Sequence, residues 1–223
     1  MERNRSKNRT EYIYALGHDL LTILYDPIVR WTTRESAFKA ALIRQAGLRP
    51  PHRVLDLGCG TGTLTLKVKK QLVRGFVAGQ DGDRKILRMG RTKASRAGAE
   101  VLWICGLAHE LPFGDSVFDR VLSSFLFHHL TRENKRKALA EVFRVLSKGG
   151  EFHLADWGKP QNSAMRLAFF AIQLLDGFAT TRDHVRGSMI RYLEETGFEA
   201  VGETRRFVTL CGTLVLYRFM KPE

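Results

Sequence analysis

The sequence predicts an α/β fold: a seven-stranded, mostly parallel sheet with helices on both faces and a C-terminal antiparallel hairpin strand. Three observations carry that expectation. From Arg53 onward, short apolar runs alternate with segments of helical period. The first apolar run breaks into a glycine-rich turn, Gly58-Cys59-Gly60-Thr61-Gly62, that opens a helix. The chain then ends on RRFVTL and GTLVLYRFM, joined only by Cys211-Gly212, and so short a link makes the pair a hairpin.

Taken in order, residues 1–10 (MERNRSKNRT) are polar and basic and read as a disordered tail. Residues 11–49 form an N-terminal helical cap. Tyr12 to Leu24 is apolar enough for a short helix, stopped by Pro27. Thr32 and Glu35 then read as a capping box ahead of a helix that carries Phe38 and Leu42 one turn apart. Gly47 and Pro50-Pro51 separate the cap from a single domain over 50–223. Strands are expected at 53–57, 75–80, 100–104, 118–124 and 151–156, followed by the hairpin. The clearest helix is 132–146, begun by Thr131 and stopped by Gly149-Gly150. Residues 161–197 read as a helical lid insert. Within it MRLAFFAIQLLDGF (165–178) is apolar nearly all round, which predicts deep burial, with cover over a ligand or a membrane as the alternative.

Composition narrows the function classes. The chain has 223 residues, 44% hydrophobic and 26% charged, which suits one sizeable core. No apolar run reaches the roughly 18 residues of a membrane span, and no apolar signal core follows the basic start. Three cysteines without metal-type spacing fit a reducing, cytoplasmic setting and no metal site. The 36 Lys+Arg against 23 Asp+Glu leave +13, a surface for anionic lipid, anionic metabolites or nucleic acid, or for solubility alone. Arg84, Arg88 and Arg91 lie at helical spacing, more suited to a solvated face than to a nucleic-acid track. The chain is expected to be a monomer or a homodimer.

The glycine turn carries the chemistry. A phosphate-binding P-loop needs Gly-Lys-Ser/Thr, which is absent. The dinucleotide fingerprint needs glycine at 63, where this chain has Thr63. Asp56, just before the turn, would repel a pyrophosphate but suits an ammonium group, while free backbone N–H groups at a helix start suit a carboxylate. Asp81 ends the next strand, where an acid accepts the hydroxyls of a ribose; its structural alternative is a helix N-cap. An amino-acid end plus a ribose describes S-adenosylmethionine (SAM).

Four stretches in order, VLDLGCGTG, VAGQD, LPFGDSVFDRVLSSFLFHHL and FRVLSKGGEFHLAD, make the chain resemble the class I SAM-dependent methyltransferase family, with its Rossmann-like fold. The resemblance lies nearest the UbiE-like branch of ubiquinone and menaquinone biosynthesis and covers residues 50–156 closely. It implies that Asp56, Gly58, Cys59, Gly60 and Gly62 hold the methionine end and that Asp81 holds the ribose. Gly82 leaves room beside the adenine, whose edge meets the backbone at Leu107 and Ala108. Ser124 and Tyr25 complete the cofactor set. Relatives read Gly-Asp-Ala where this chain has Leu107, so the adenine amino group falls to His109 or a backbone carbonyl. S-adenosylhomocysteine would be the product.

Methyl transfer from a sulfonium is an in-line displacement, and a base is needed only where the acceptor arrives protonated. His128 is the candidate base. His129, Trp157, Arg182 and His184 are candidate acceptor-binding residues, the last two expected on a loop after the apolar helix. Quinone-biosynthesis relatives usually carry Arg-Asn at the His128-His129 pair. The acceptor implied is small or amphiphilic, methylated on oxygen or carbon, with peripheral contact at an anionic membrane surface. The rivals are RNA or protein methylation, for which salt-dependent RNA binding would speak, and a non-catalytic SAM-binding protein, which any turnover would eliminate.

Overall fold

The computed structural model describes residues 34–210 and 212–223. Seven strands form one sheet: β1 (Arg53–Leu57), β2 (Phe76–Asp81), β3 (Leu102–Cys105), β4 (Phe118–Ser124), β5 (Leu146–Trp157), β6 (Glu199–Thr209) and β7 (Gly212–Met220). Their order is β3-β2-β1-β4-β5-β7-β6. The first five pair in parallel, whereas β7 is antiparallel to both β5 and β6. The expected hairpin is thus present, with β6 starting earlier than the RRFVTL run. Because the order reverses between β1 and β4, the carboxyl ends of those strands open a crevice, the usual ligand position in such sheets.

Alternation along the strands builds two cores. Leu55, Val121, Leu154 and Val215 face one side, against α4 (Arg132–Val145) and α7 (Met189–Glu195). Val54, Leu122, Ala155, Leu214 and Leu216 face the other, against α1 (Glu35–Ala46) and α2 (Thr63–Gln71). Both faces buried explains why these strands are almost continuously apolar rather than half polar.

Some boundaries move. Thr131 caps α4 as expected, its side chain accepting from the Asn134 N–H at 3.2 Å. The helix ends at Val145, however, and Gly149-Gly150 lies inside β5, where the Gly149 N–H donates to the Lys221 carbonyl. The capping box is corrected too: α1 begins at Glu35 behind Arg34, and Glu35 pairs forward with Lys39 at 2.5 Å. Thr32, Tyr25, the 12–24 helix and the basic tail lie outside the described residues, as does Cys211.

The 161–197 segment folds into α5 (Ser163–Asp176), α6 (Phe178–Val185) and α7. Its attachment is polar. Lys135 of α4, fully buried, donates to the Thr180 carbonyl at 2.5 Å and lies 3.4 Å from Asp183. Asp183 also accepts from Arg132 at 3.0 Å and from the Tyr192 hydroxyl at 3.1 Å. A carboxylate so shared is satisfied inside the protein, and it fixes α6 over the end of β5.

Candidate functional site

The glycine turn is tied to the carboxyl end of β2. Gly58 and Cys59 both donate their N–H to the Gln80 carbonyl (2.8 and 3.0 Å), and the Gly60 N–H donates to Asp81 Oδ2 at 2.9 Å. The N–H groups at 58–60 are thus taken by the end of β2. The Asp81 carboxylate also accepts the Asp83 N–H at 3.0 Å, and it is Asp83 that caps α3 (Arg84–Arg96). Asp81 is therefore no helix cap. A carboxylate has about four lone-pair sites, more than these two backbone bonds occupy.

The three glycines have three different reasons. A Cβ at Gly58 would come within 2.9 Å of Leu126, and one at Gly62 within 2.5 Å of the Trp103 ring; at Gly60 it would meet nothing within 4 Å. Trp103 fills the space beneath the turn, so Gly62 serves packing, and Gly60 alone faces open room where a ligand can approach the backbone. Gly62→Ala, with φ at +77° as well, is expected to cost about 2–4 kcal/mol in chemical denaturation. Gly60→Ala should cost about 1 kcal/mol but block cofactor binding in calorimetry. Equal stability losses at the two positions would contradict this division.

Asp56 is fully buried on the α1–α2 side. One oxygen accepts from the Thr65 hydroxyl at 2.5 Å; the other, Oδ1, is buried without a partner among the described residues. Burial raises its carboxyl to about 6, against the Thr65 bond. An orphaned, reluctant carboxylate beside an open backbone is what the ammonium of an amino-acid ligand fits. Cys59 is inert: burial first, then the charges of Asp56 and Asp81, push its thiol well above the ordinary value.

The second half of the site grows from β4 and β5. Asp156, fully buried, accepts from the N–H groups of Phe127 (2.9 Å), His128 (3.3 Å) and Trp157 (2.7 Å), and its Oδ1 lies 2.7 Å from His128 Nδ1. Burial alone would raise this carboxyl. The imidazoles of His128 and His184 and the backbone bonds outweigh burial and hold it well below the ordinary range. Leu126, packed against Gly58, leads into this His128 turn, so the two halves adjoin.

A family model described as a methyltransferase domain matches residues 54–150. The demethylmenaquinone methyltransferase of Thermus thermophilus is 34% identical over 157 residues, 70% of this chain and 67% of that protein. This chain belongs to the class I SAM-dependent methyltransferase family. It lies near the UbiE branch: the ubiquinone/menaquinone biosynthesis C-methyltransferase UbiE of Wigglesworthia glossinidia brevipalpis is 30% identical over 156 residues, 69% of this chain. The chain spans only 58% of that UbiE protein's length. A solved putative methyltransferase from Bacillus halodurans shares the fold, with a TM-score of 0.67, 23% identity, and coverage of 83% of this chain and 99% of that one. SAM is the cofactor of the family.

Among the other residues that the family resemblance singles out, Gly82 follows β2 and accepts from Cys105 Sγ at 3.6 Å. Leu107 is partly exposed and Ala108 buried, on the turn after β3. Ser124 ends β4 opposite Ala155. Trp157 is buried, its ring 5.0 Å from Phe125 and 6.3 Å from His128, and the His129 ring lies tilted 4.0 Å from that of His128. Burial, then the neighbouring His128, lowers His129 well below the ordinary imidazole value. Arg182 and His184 are not on a loop but on α6. Arg182 is exposed and outside the cluster. His184 is buried, its Nδ1 2.7 Å from the Trp157 carbonyl, and burial brings it down to about 4.

Sequence reasoning missed Phe125. It sits at φ 56°, a conformation costly for an aromatic residue, held by its N–H bond to the Ala155 carbonyl at 2.9 Å and by rings of Phe38, His128 and Trp157. No local signal in Ser-Ser-Phe-Leu announces it, because the strain is imposed by contacts remote in sequence.

Proposed function

We propose that this chain transfers the methyl group of SAM to oxygen, or to ring carbon, of a small, lipid-like hydroxyarene. The observation that carries the acceptor class is the 2.7 Å contact of His128 Nδ1 with buried Asp156, beside the glycine turn. A carboxylate acceptor puts the His128 proton on Nδ1 and the lone pair on Nε2. Nε2 then takes the acceptor's hydroxyl proton, and Asp156 stabilises the imidazolium that forms. When bound, SAM supplies an electrophilic methyl group. Asp56 and Asp81 would hold its ammonium and ribose, and Phe125, Trp157 and Phe169 exclude water from the acceptor side. Removing a phenolic proton loads charge onto both oxygen and the ortho and para ring carbons, so one base serves either outcome. The relatives named for C-methylation in quinone biosynthesis support the carbon alternative.

The test is incubation of the full chain with SAM and a panel of quinols and alkylated phenols, with S-adenosylhomocysteine and methylated product measured by mass spectrometry. Turnover on apolar hydroxyarenes, and none on RNA or protein, is the expected result. Turnover confined to RNA or protein would overturn the reading, as would none on any acceptor despite tight SAM binding.

A further inference from the structure

Among its described side chains, the apolar helix that the sequence predicts as buried is buried on one side only. Phe169 packs 5.6 Å from Trp157, while Leu167 (75%), Phe170 (43%) and Leu174 (64%) are exposed along α5. Phe178 of α6 extends the stripe, its ring 5.6 Å from Phe170. The β6–β7 tip adds exposed Val208 and Leu210. That tip is adjacent, since a Cβ at Gly212 would come within 3.0 Å of the Phe169 ring. Most of the large apolar side chains exposed among the described residues therefore gather at the carboxyl end of the sheet, around the mouth of the site.

We propose that this rim docks the protein on an anionic lipid bilayer. The charge around it argues for that occupant. Lys159, Arg166, Arg182 and Arg186 are all exposed on or beside these two helices, and Arg182 and Arg186 follow Phe178 along one side of α6 and just past its end. The Asp183 carboxylate within this segment is turned inward to Lys135 and Arg132, where it does not offset them. Apolar side chains flanked by exposed cations describe a surface that lies in a headgroup layer, and the +13 of the whole chain draws it there. A patch facing a second protein copy would place those like charges against each other. Docked this way, the site mouth opens onto the acyl region, so an amphiphilic acceptor enters without crossing water. That use of the surface rests on the acceptor class proposed above; the docking itself is measured without turnover.

Flotation of the full chain with phosphatidylglycerol vesicles tests it, with phosphatidylcholine vesicles as the control. Binding to the anionic vesicles, weakened by 0.5 M salt and absent on phosphatidylcholine, is expected. The Leu167→Glu, Leu174→Glu double variant should lose at least about tenfold in partitioning. Arg182→Glu with Arg186→Glu should lose the anionic preference. Three results would overturn the proposal. One is no binding to anionic vesicles, and another is equal binding by the Glu double variant. The third is loss of a dimer or of several degrees of melting temperature in that variant, which would assign the face to a second copy or to the chain's own residues 1–33. SAM affinity of the same variants, read by calorimetry, separates failure of docking from failure of the methyltransferase reading.

Discussion

Replacing Asp56 by asparagine is expected to weaken SAM binding at least about a hundredfold while making the protein more stable at neutral pH. The two effects have one cause. Burial raises the folded-state value of Asp56 from the ordinary 3.8 to about 6. A carboxyl raised in this way holds its proton more tightly when folded, so its contribution to stability is present at low pH and is lost as pH rises through about 6. At pH 7 the ionised group costs the empty protein about 3 kcal/mol, at 1.36 kcal/mol per pH unit. Thr65 alone does not repay that cost, and Oδ1 is left without a partner among the described residues. Asparagine keeps an acceptor for Thr65 and removes the charge, which should raise the melting temperature. It also removes the partner of the ligand ammonium, a buried charge pair whose loss costs about 3–5 kcal/mol. In the wild-type protein SAM affinity should therefore fall about tenfold per pH unit below pH 6, and in the variant it should be flat. Calorimetry between pH 5 and 8 with parallel melts decides this. Undiminished, pH-independent binding by the variant would place the ammonium elsewhere.

How much of this was legible in the sequence depends on whether the cause is local. β1, β4 and the Thr131 cap follow from residues within one element, and the structure places them where the sequence does. The acids at 56 and 81 were legible because strand alternation and a following glycine turn leave few places for them to go. Gly62 was legible as a glycine but not for its reason, since Trp103 lies 41 positions further along. His184 was expected on a loop. The buried Asp183–Lys135 pair, formed between residues far apart in sequence, instead turns that segment into a helix with His184 facing the core. The α5 helix failed in the other direction: an all-round apolar sequence says that water is disfavoured on every side, without saying whether protein or lipid replaces it. Asp156 reads in the sequence as an acid at a strand end, and only the fold brings the Phe127, His128 and Trp157 N–H groups onto it.

That convergence makes Asp156 and His128 separable in experiment. Asp156→Asn is expected to lower kcat by about 10³–10⁴, as loss of a carboxylate that orients a base does elsewhere, while SAM affinity is unchanged. Asparagine can present either an acceptor or a donor to Nδ1, so the imidazole no longer keeps its lone pair on Nε2. The variant should also be less stable at neutral pH. The Asp156 value is held below the ordinary range when folded, so its stabilisation is present above that range and is lost only as pH falls through the folded value. A loss of structure and a loss of catalysis would thus coincide in this variant. His128→Gln resolves them, because it leaves the Asp156 bonds to the Phe127 and Trp157 N–H groups in place. Its melting temperature should stay within a few degrees of wild type while kcat falls. With a phenolic acceptor its rate should climb about tenfold per pH unit toward the phenol's own value of about 10, where the acceptor ionises without help. Wild type should show a much shallower rise over the same range. A purely structural histidine would leave both profiles parallel, and that parallel would remove His128 from the chemistry.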